Sequence, residues 1–126
     1  EAAREIRKAF TSRLGKCAKT RDAVEGMRTF LDMQAGGVRC TSDNCSLLIH
    51  LFVESPTPML SECIQVFDAF QQEAAPDESS WSGMVKMHCL HGSLTDGIAT
   101  LDRMIAAGIS PRLRSFSPVI TAATTR

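Results

Sequence analysis

The feature that most constrains this chain is an internal repeat. Aromatic or cysteine residues that open an apolar stretch recur at Phe10, Cys45, Trp81 and Phe116, at spacings of 35, 36 and 35. A second set of anchors, Phe30, Phe67 and Leu101, is followed three residues on by Met33, Phe70 and Met104. Gly37-Val38 and Gly108-Ile109 close the first and third units at the same offset. A fixed period in this range marks stacked supersecondary units, none of which buries its apolar face alone.

Each unit reads as two helices. In the third, Trp81, Met84, Val85 and His88 follow helical spacing until Gly92 interrupts, and Ile98, Leu101, Met104 and Ile105 form a second stripe. Gly108 and Pro111 then end it, since glycine supplies a left-handed cap and proline cannot extend a helix. The first unit repeats the plan with Phe10, Leu14 and Cys17, then Val24, Met27, Phe30, Leu31 and Met33 before Gly36-Gly37. The second has Cys45, Leu48, Ile49 and Phe52, then Cys63, Ile64, Val66, Phe67 and Phe70. Its inter-helix loop is lengthened by Pro56-Thr57-Pro58 and its tail shortened to Ala74-Ala75-Pro76-Asp77. A last helix is expected over Ser115 to Thr124. No segment alternates with period two, so strands are not expected. The expected fold is all-α: an α-solenoid of antiparallel helix-turn-helix repeats over 7–41, 42–77 and 78–112, with a partial unit at 113–126, in one domain spanning 1–126.

Composition narrows the function classes. With 44% hydrophobic and 22% charged residues the chain carries enough apolar surface to fold, which argues against disorder. No apolar run approaches the roughly 20 residues of a membrane span, and no signal peptide is visible. Because the sequence starts at Glu1, the chain is expected to be a fragment of a longer protein. Five cysteines (Cys17, Cys40, Cys45, Cys63, Cys89) form an odd set without CxxC spacing, which points to a reducing, intracellular setting. Cys40, Cys45, His88, Cys89 and His91 are the best metal candidates. His88 and Cys89 point about 100° apart on a helix, however, so no metal site is expected.

Net charge is zero, 14 Lys+Arg against 14 Asp+Glu, but the distribution is uneven. Residues 1–41 sum to +4, residues 42–80 to −7 and residues 81–126 to +3. The first helix carries Arg4, Arg7, Lys8, Arg13, Lys16, Lys19 and Arg21, which suits phosphate contact or a solvated face equally in composition. Arg112, Arg114 and Arg126 form a smaller basic group. Asp22, Asp32, Asp43, Asp68, Asp96 and Asp102 are scattered over separate helices, and no Ser/His or Cys/His arrangement stands out, so no catalytic residue is assigned.

The run Trp81 to Arg112, WSGMVKMHCLHGSLTDGIATLDRMIAAGISPR, resembles a pentatricopeptide repeat, with its mid-unit Gly-x-Leu and its Gly-Ile-x-Pro close. Phe10 to Thr41 matches the same pattern. The tetratricopeptide repeat has a similar period but lacks that ending. The junction Gly108-Ile-Ser-Pro111-Arg112-Leu-Arg114-Ser-Phe116-Ser-Pro118 is similar to one in the repeat domain of proteinaceous RNase P, the protein-only enzymes that remove the 5′ leader of precursor tRNA.

The resemblance implies an RNA-binding domain that grips the elbow of precursor tRNA and presents it to a separate metallonuclease domain. Mg and Zn would belong to that parent protein, with no cofactor in this segment. It also implies a mitochondrion or plastid, or else the nucleus. Pentatricopeptide units read single-stranded RNA through paired positions, here Thr11 with Thr41, Ser46 with Asp77 and Ser82 with Arg112, with Ser117 opening a further pair. Only Ser46 with Asp77 keeps the usual hydroxyl-and-carboxylate form, and those two also suit helix-capping roles. Thr41 and Arg112 depart from it, which favours recognition of RNA shape. The expected RNA-binding set is therefore Arg7, Lys8, Thr11, Arg13, Lys16, Ser46, Asp77, Ser82, Arg112, Arg114 and Ser117. The parent would be an endoribonuclease and this segment inert alone. Two alternatives stand beside this: a tetratricopeptide-like protein-interaction scaffold, and a pentatricopeptide module of another organellar RNA-processing factor. Phe116, Val119 and Ile120 leave an apolar face on the last helix that also suits self-association.

Overall fold

A computed structural model describes residues 2–124. They form seven helices: α1 (Ala2–Thr20), α2 (Ala23–Ala35), α3 (Ser42–Val53), α4 (Leu60–Gln71), α5 (Glu78–His91), α6 (Leu94–Ala106) and α7 (Leu113–Thr124). Among the described residues there is no strand. Each odd helix pairs with the even helix after it, and α1, α3, α5 and α7 also pack in succession against one another. The result is the expected α-solenoid. Arg126, one of the expected cations, lies outside the described residues.

Local chemistry sets the helix starts. Asp22, Thr41, Asp77 and Ser93 each accept a hydrogen bond from the backbone N–H three residues on, the usual N-cap geometry. α4 has no such cap; Met59, at that position, is buried in the core instead. α7 begins two residues earlier than its apolar pattern indicates, because the Arg112 N–H donates to Ser115 Oγ at 3.0 Å and closes the first turn. Pro118 sits inside α7 and removes one helical donor, which loosens the ladder beside Arg114.

Three helix ends, those of α1, α2 and α6, follow one rule. Val38 N–H donates to Met33 O at 2.9 Å and Gly37 N–H to Gln34 O at 3.1 Å. Ile109 N–H to Met104 O at 3.2 Å and Gly108 N–H to Ile105 O at 2.9 Å repeat the motif. This crossed pair requires a left-handed residue, and Gly37 (φ 69°) and Gly108 (φ 84°) provide it. The Gly-Ile-x-Pro ending is therefore a helix stop, with Val38 and Ile109 packed back on the core. α1 ends in the same way, through Asp22 N–H to Cys17 O at 2.9 Å, but its left-handed residue is Arg21 (φ 56°).

The core repeats with the period. Gly26, Cys63 and Gly97 are equivalent, as are Thr29, Val66 and Thr100, then Phe30, Phe67 and Leu101, then Met33, Phe70 and Met104; all are buried. This corrects two expected stripe positions in each outer unit: Val24 (65% exposed), Leu31 (45%), Ile98 and Ile105 (52%) face outward. Thr29 and Thr100 take the interior, because each hydroxyl donates to the carbonyl four residues back at 2.8 Å and enters the core satisfied.

Gly108→Ala is expected to destabilise the domain by about 1 kcal/mol, since the left-handed backbone penalises any Cβ although nothing lies within 4 Å of it. Arg21→Gly should do the opposite, by up to about 1 kcal/mol. Chemical denaturation followed by circular dichroism distinguishes the two directions.

Candidate nucleic-acid interface

The succession of odd helices presents the expected site residues along one layer. α1 carries Arg7, Lys8, Thr11 and Lys16, all exposed, with Arg4 and Lys19 nearby in sequence and also exposed. Arg13 differs from its neighbours. Its guanidinium lies 5.5 Å from the Phe10 ring centroid and donates to Glu25 at 3.2 Å and Asp32 at 3.1 Å, tying α1 to α2.

At the next two junctions the expected base-reading residues hold helices together. Ser46 Oγ on α3 bonds Ser79 Oγ on α5 at 2.7 Å, and Ser82 Oγ on α5 bonds Ser115 Oγ on α7 at 2.7 Å; both pairs are 33 residues apart. The same repeat position thus makes the same polar staple twice. Asp77 caps α5 through one oxygen and accepts from Ser42 Oγ at 3.1 Å through the other. Thr41 caps α3, and Arg112 caps α7 through its backbone while its side chain is exposed. Ser82 borders the groove described next but is only 4% exposed, with its hydroxyl engaged by Ser115 and Glu78. Gly83 lets α3 and α5 approach closely enough for the first of these staples: a Cβ there would lie 2.6 Å from Ile49 Cγ2.

Beside the second staple lies a groove of about 570 Å³ between α3, α5 and α7. His50, Lys86, Arg114 and Ser117 line its polar side, Leu90 and Pro118 its apolar side. His50 and Lys86 were not singled out from the sequence. Their signal was available: Gly15, His50, Lys86 and Thr121 recur at spacings of 35, 36 and 35, one helical turn past Thr11, Ser46, Ser82 and Ser117. Burial pushes the His50 imidazole below its usual value, and Arg114 and Lys86 push the same way. Lys86 and Arg114 bring their cationic groups to this groove, and the His50 Nε2 lies 3.0 Å from Ser79 Oγ.

Arg114 is held from one side. Its Nε donates to Glu78 Oε1 at 3.0 Å and Oε2 at 2.9 Å, and its Nη2 also donates to Oε1. Glu78, 15% exposed, accepts from Ser82 Oγ at 2.6 Å as well. The Arg114 guanidinium, with help from the hydroxyls of Ser82 and Ser115, holds the Glu78 carboxyl down at about 2.

Among the described residues no group of three or more His, Cys, Asp or Glu side chains is placed to hold a metal ion. Burial raises the thiols of Cys40, to about 12, and Cys45, to about 11, so both are protonated at neutral pH rather than ready as ligands. No helix among the described residues is long and apolar enough to cross a membrane.

Comparison with known proteins bears on the fold and the family. The family model for the pentacotripeptide-repeat region of PRORP matches residues 1–126. Proteinaceous RNase P 1, chloroplastic/mitochondrial, of Arabidopsis thaliana is 27% identical over 119 residues, covering 86% of this chain and 20% of that protein. The chain thus spans about a fifth of this relative's length. The crystal structure of the PPR domain of the Arabidopsis thaliana protein-only RNase P 1, in complex with tRNA, superposes with a TM-score of 0.83 at 22% identity, over 91% of this chain and 61% of that one.

Acid titration tests the Glu78–Arg114 pair. The folded state keeps Glu78 ionised well below the usual value of 4.5, so the pair's stabilisation is complete above that pH and is lost as pH falls towards about 2. Glu78→Gln should flatten this part of the profile of thermal midpoint against pH. A wild-type profile with no slope from 4.5 to 2 that the substitution removes would show that the pair does not form in solution.

Proposed function

This chain belongs to the pentacotripeptide-repeat family of PRORP proteins, and on that premise we propose that it binds precursor tRNA by shape and positions it for 5′-leader cleavage by a separate metallonuclease domain of its parent. The family match over the whole chain carries the reading and sets aside the tetratricopeptide alternative. The tRNA seen with the related Arabidopsis domain supports the choice of RNA. The related protein's chloroplastic and mitochondrial assignment supports an organelle as the site of action.

The residues divide the work by position. Arg7, Lys8 and Lys16 on α1 supply exposed charge for phosphates, with Thr11 on the same helix. Lys86, Arg114 and Ser117 supply a second contact in the groove, and Arg112 lies at its edge of the solenoid at the start of α7. Phosphate contacts of this kind fix register and orientation without reading sequence. Ser46, Asp77 and Ser82 act on the RNA indirectly, by fixing the spacing between successive odd helices. A base-by-base code is disfavoured because the positions that would read it are engaged in caps and staples.

Two measurements test this. Gel-shift titration should show tighter binding to folded tRNA than to unstructured RNA of the same length; equal affinities would overturn shape recognition. Replacing Arg7, Lys8 and Lys16 together with Ala should weaken binding and reduce the slope of log affinity against log salt by about 2 to 3 units, with the fold retained. An unchanged slope assigns α1 to solvent.

A further inference from the structure

Glu78 is an anomaly in the repeat. Its equivalents are Arg7, Ser42 and Leu113, so the third unit alone places a carboxylate there. Unlike an ordinary surface acid it is largely buried, and it is held by hydroxyls from two helices as well as by Arg114. Arg114 in turn is 57% exposed and lines the groove. A guanidinium carries five N–H donors in a rigid plane. Nε and Nη2 are both committed to Glu78, which leaves the N–H groups of Nη1 and the second N–H of Nη2 as donors for a further partner.

Resting on the RNA-binding reading above, we propose that Glu78 is a specificity-determining positioning residue: it fixes the plane of Arg114 at the groove and cancels its net charge. The two effects act differently on different RNAs. Cancelled charge lowers attraction for any polyanion, folded or not, because non-specific association follows net charge. A fixed plane favours a phosphate that arrives at one place and angle, as a rigid folded RNA delivers it. Glu78 thus lowers binding to unstructured RNA while preserving the oriented contact with folded RNA. Lys86, across the same groove, supplies the unpaired charge that draws the backbone in.

The test compares wild type, Glu78→Gln and the double variant Glu78→Gln/Arg114→Gln, each titrated with folded tRNA and with unstructured RNA of equal length over a range of salt. Glu78→Gln should raise affinity for the unstructured RNA about two- to fivefold, the worth of one exposed charge. It should also steepen its salt slope by about 0.7 and reduce the preference for tRNA. The double variant, with the same net charge as the wild-type pair, should recover the wild-type slope but not the preference. If Glu78→Gln lowers only the thermal midpoint and moves neither slope nor preference, Glu78 is structural and the proposal fails. Recovery of the preference in the double variant would overturn the positioning part, since charge alone would then explain it. Absence of RNA binding by the wild type itself would sink the RNA-binding reading and this inference with it, whereas wild-type binding with an unmoved variant sinks only the inference.

Discussion

The packing around Trp81 holds the solenoid together. Its ring meets Phe67 of α4 edge-on, with centroids 4.8 Å apart, while the Arg103 guanidinium of α6 lies 5.4 Å from it on the other element. One side chain thus joins the second helix of unit two to both helices of unit three. α5 is then buried on several sides through its first two turns, where Ser80, Ser82 and Gly83 are as buried as Trp81, Met84 and Val85, while Lys86 and Leu90 stay exposed further along. A helix covered on several sides loses the one-sided apolar stripe of its neighbours. What it gains is four packed partners, α3, α4, α6 and α7, which makes it the frame on which the groove is built.

That burial explains why hydroxyl-rich positions became staples. A serine inside a helix-helix contact must find a partner or leave a polar group unsatisfied. Ser46 with Ser79 and Ser82 with Ser115 satisfy one another across successive junctions. Each pair also fixes the rotation of one odd helix relative to the next, so the cations on α5 and α7 sit at set relative positions. Rigidity of this kind suits a partner with a rigid surface better than one that adapts.

Much of the fold was legible because the period carries it. Phe10, Cys45, Trp81 and Phe116 located the odd helices, and Gly37 and Gly108 located two stops. Hydropathy misplaced Val24, Leu31, Ile98 and Ile105 because it treats threonine as a surface residue, whereas Thr29 and Thr100 hide their hydroxyls on their own backbone. Arg21 gave no sign of ending a helix, since its left-handed backbone is imposed by the α1–α2 turn rather than by residue type. The site was less legible. Charge alone shows that Arg13 and Arg114 are cations; only the partners Glu25, Asp32 and Glu78, 12 to 36 residues away, show that both are neutralised locally. His50 and Lys86 lay one turn beyond the positions the repeat pattern highlights.

Zero net charge takes its meaning from this arrangement. A uniformly basic solenoid would hold any RNA backbone along its length, because attraction to a polyanion grows with the number of phosphates neutralised. Here the second unit carries Asp43, Glu54, Glu62, Asp68, Glu73 and Asp77 without any Lys or Arg, and in chain order it lies between α1 and the cations of α5 and α7. A flexible strand laid along the solenoid would meet repulsion between its two favourable ends. A folded RNA that touches the two ends with different parts of its surface would not. Exposed charges are screened beyond about 8–10 Å at physiological salt, so the acidic middle acts only on phosphate brought against it. A sequence that is neutral in sum is therefore uneven in layout, with cations on α1 and at the groove and an excess of acids in the unit between them in the chain.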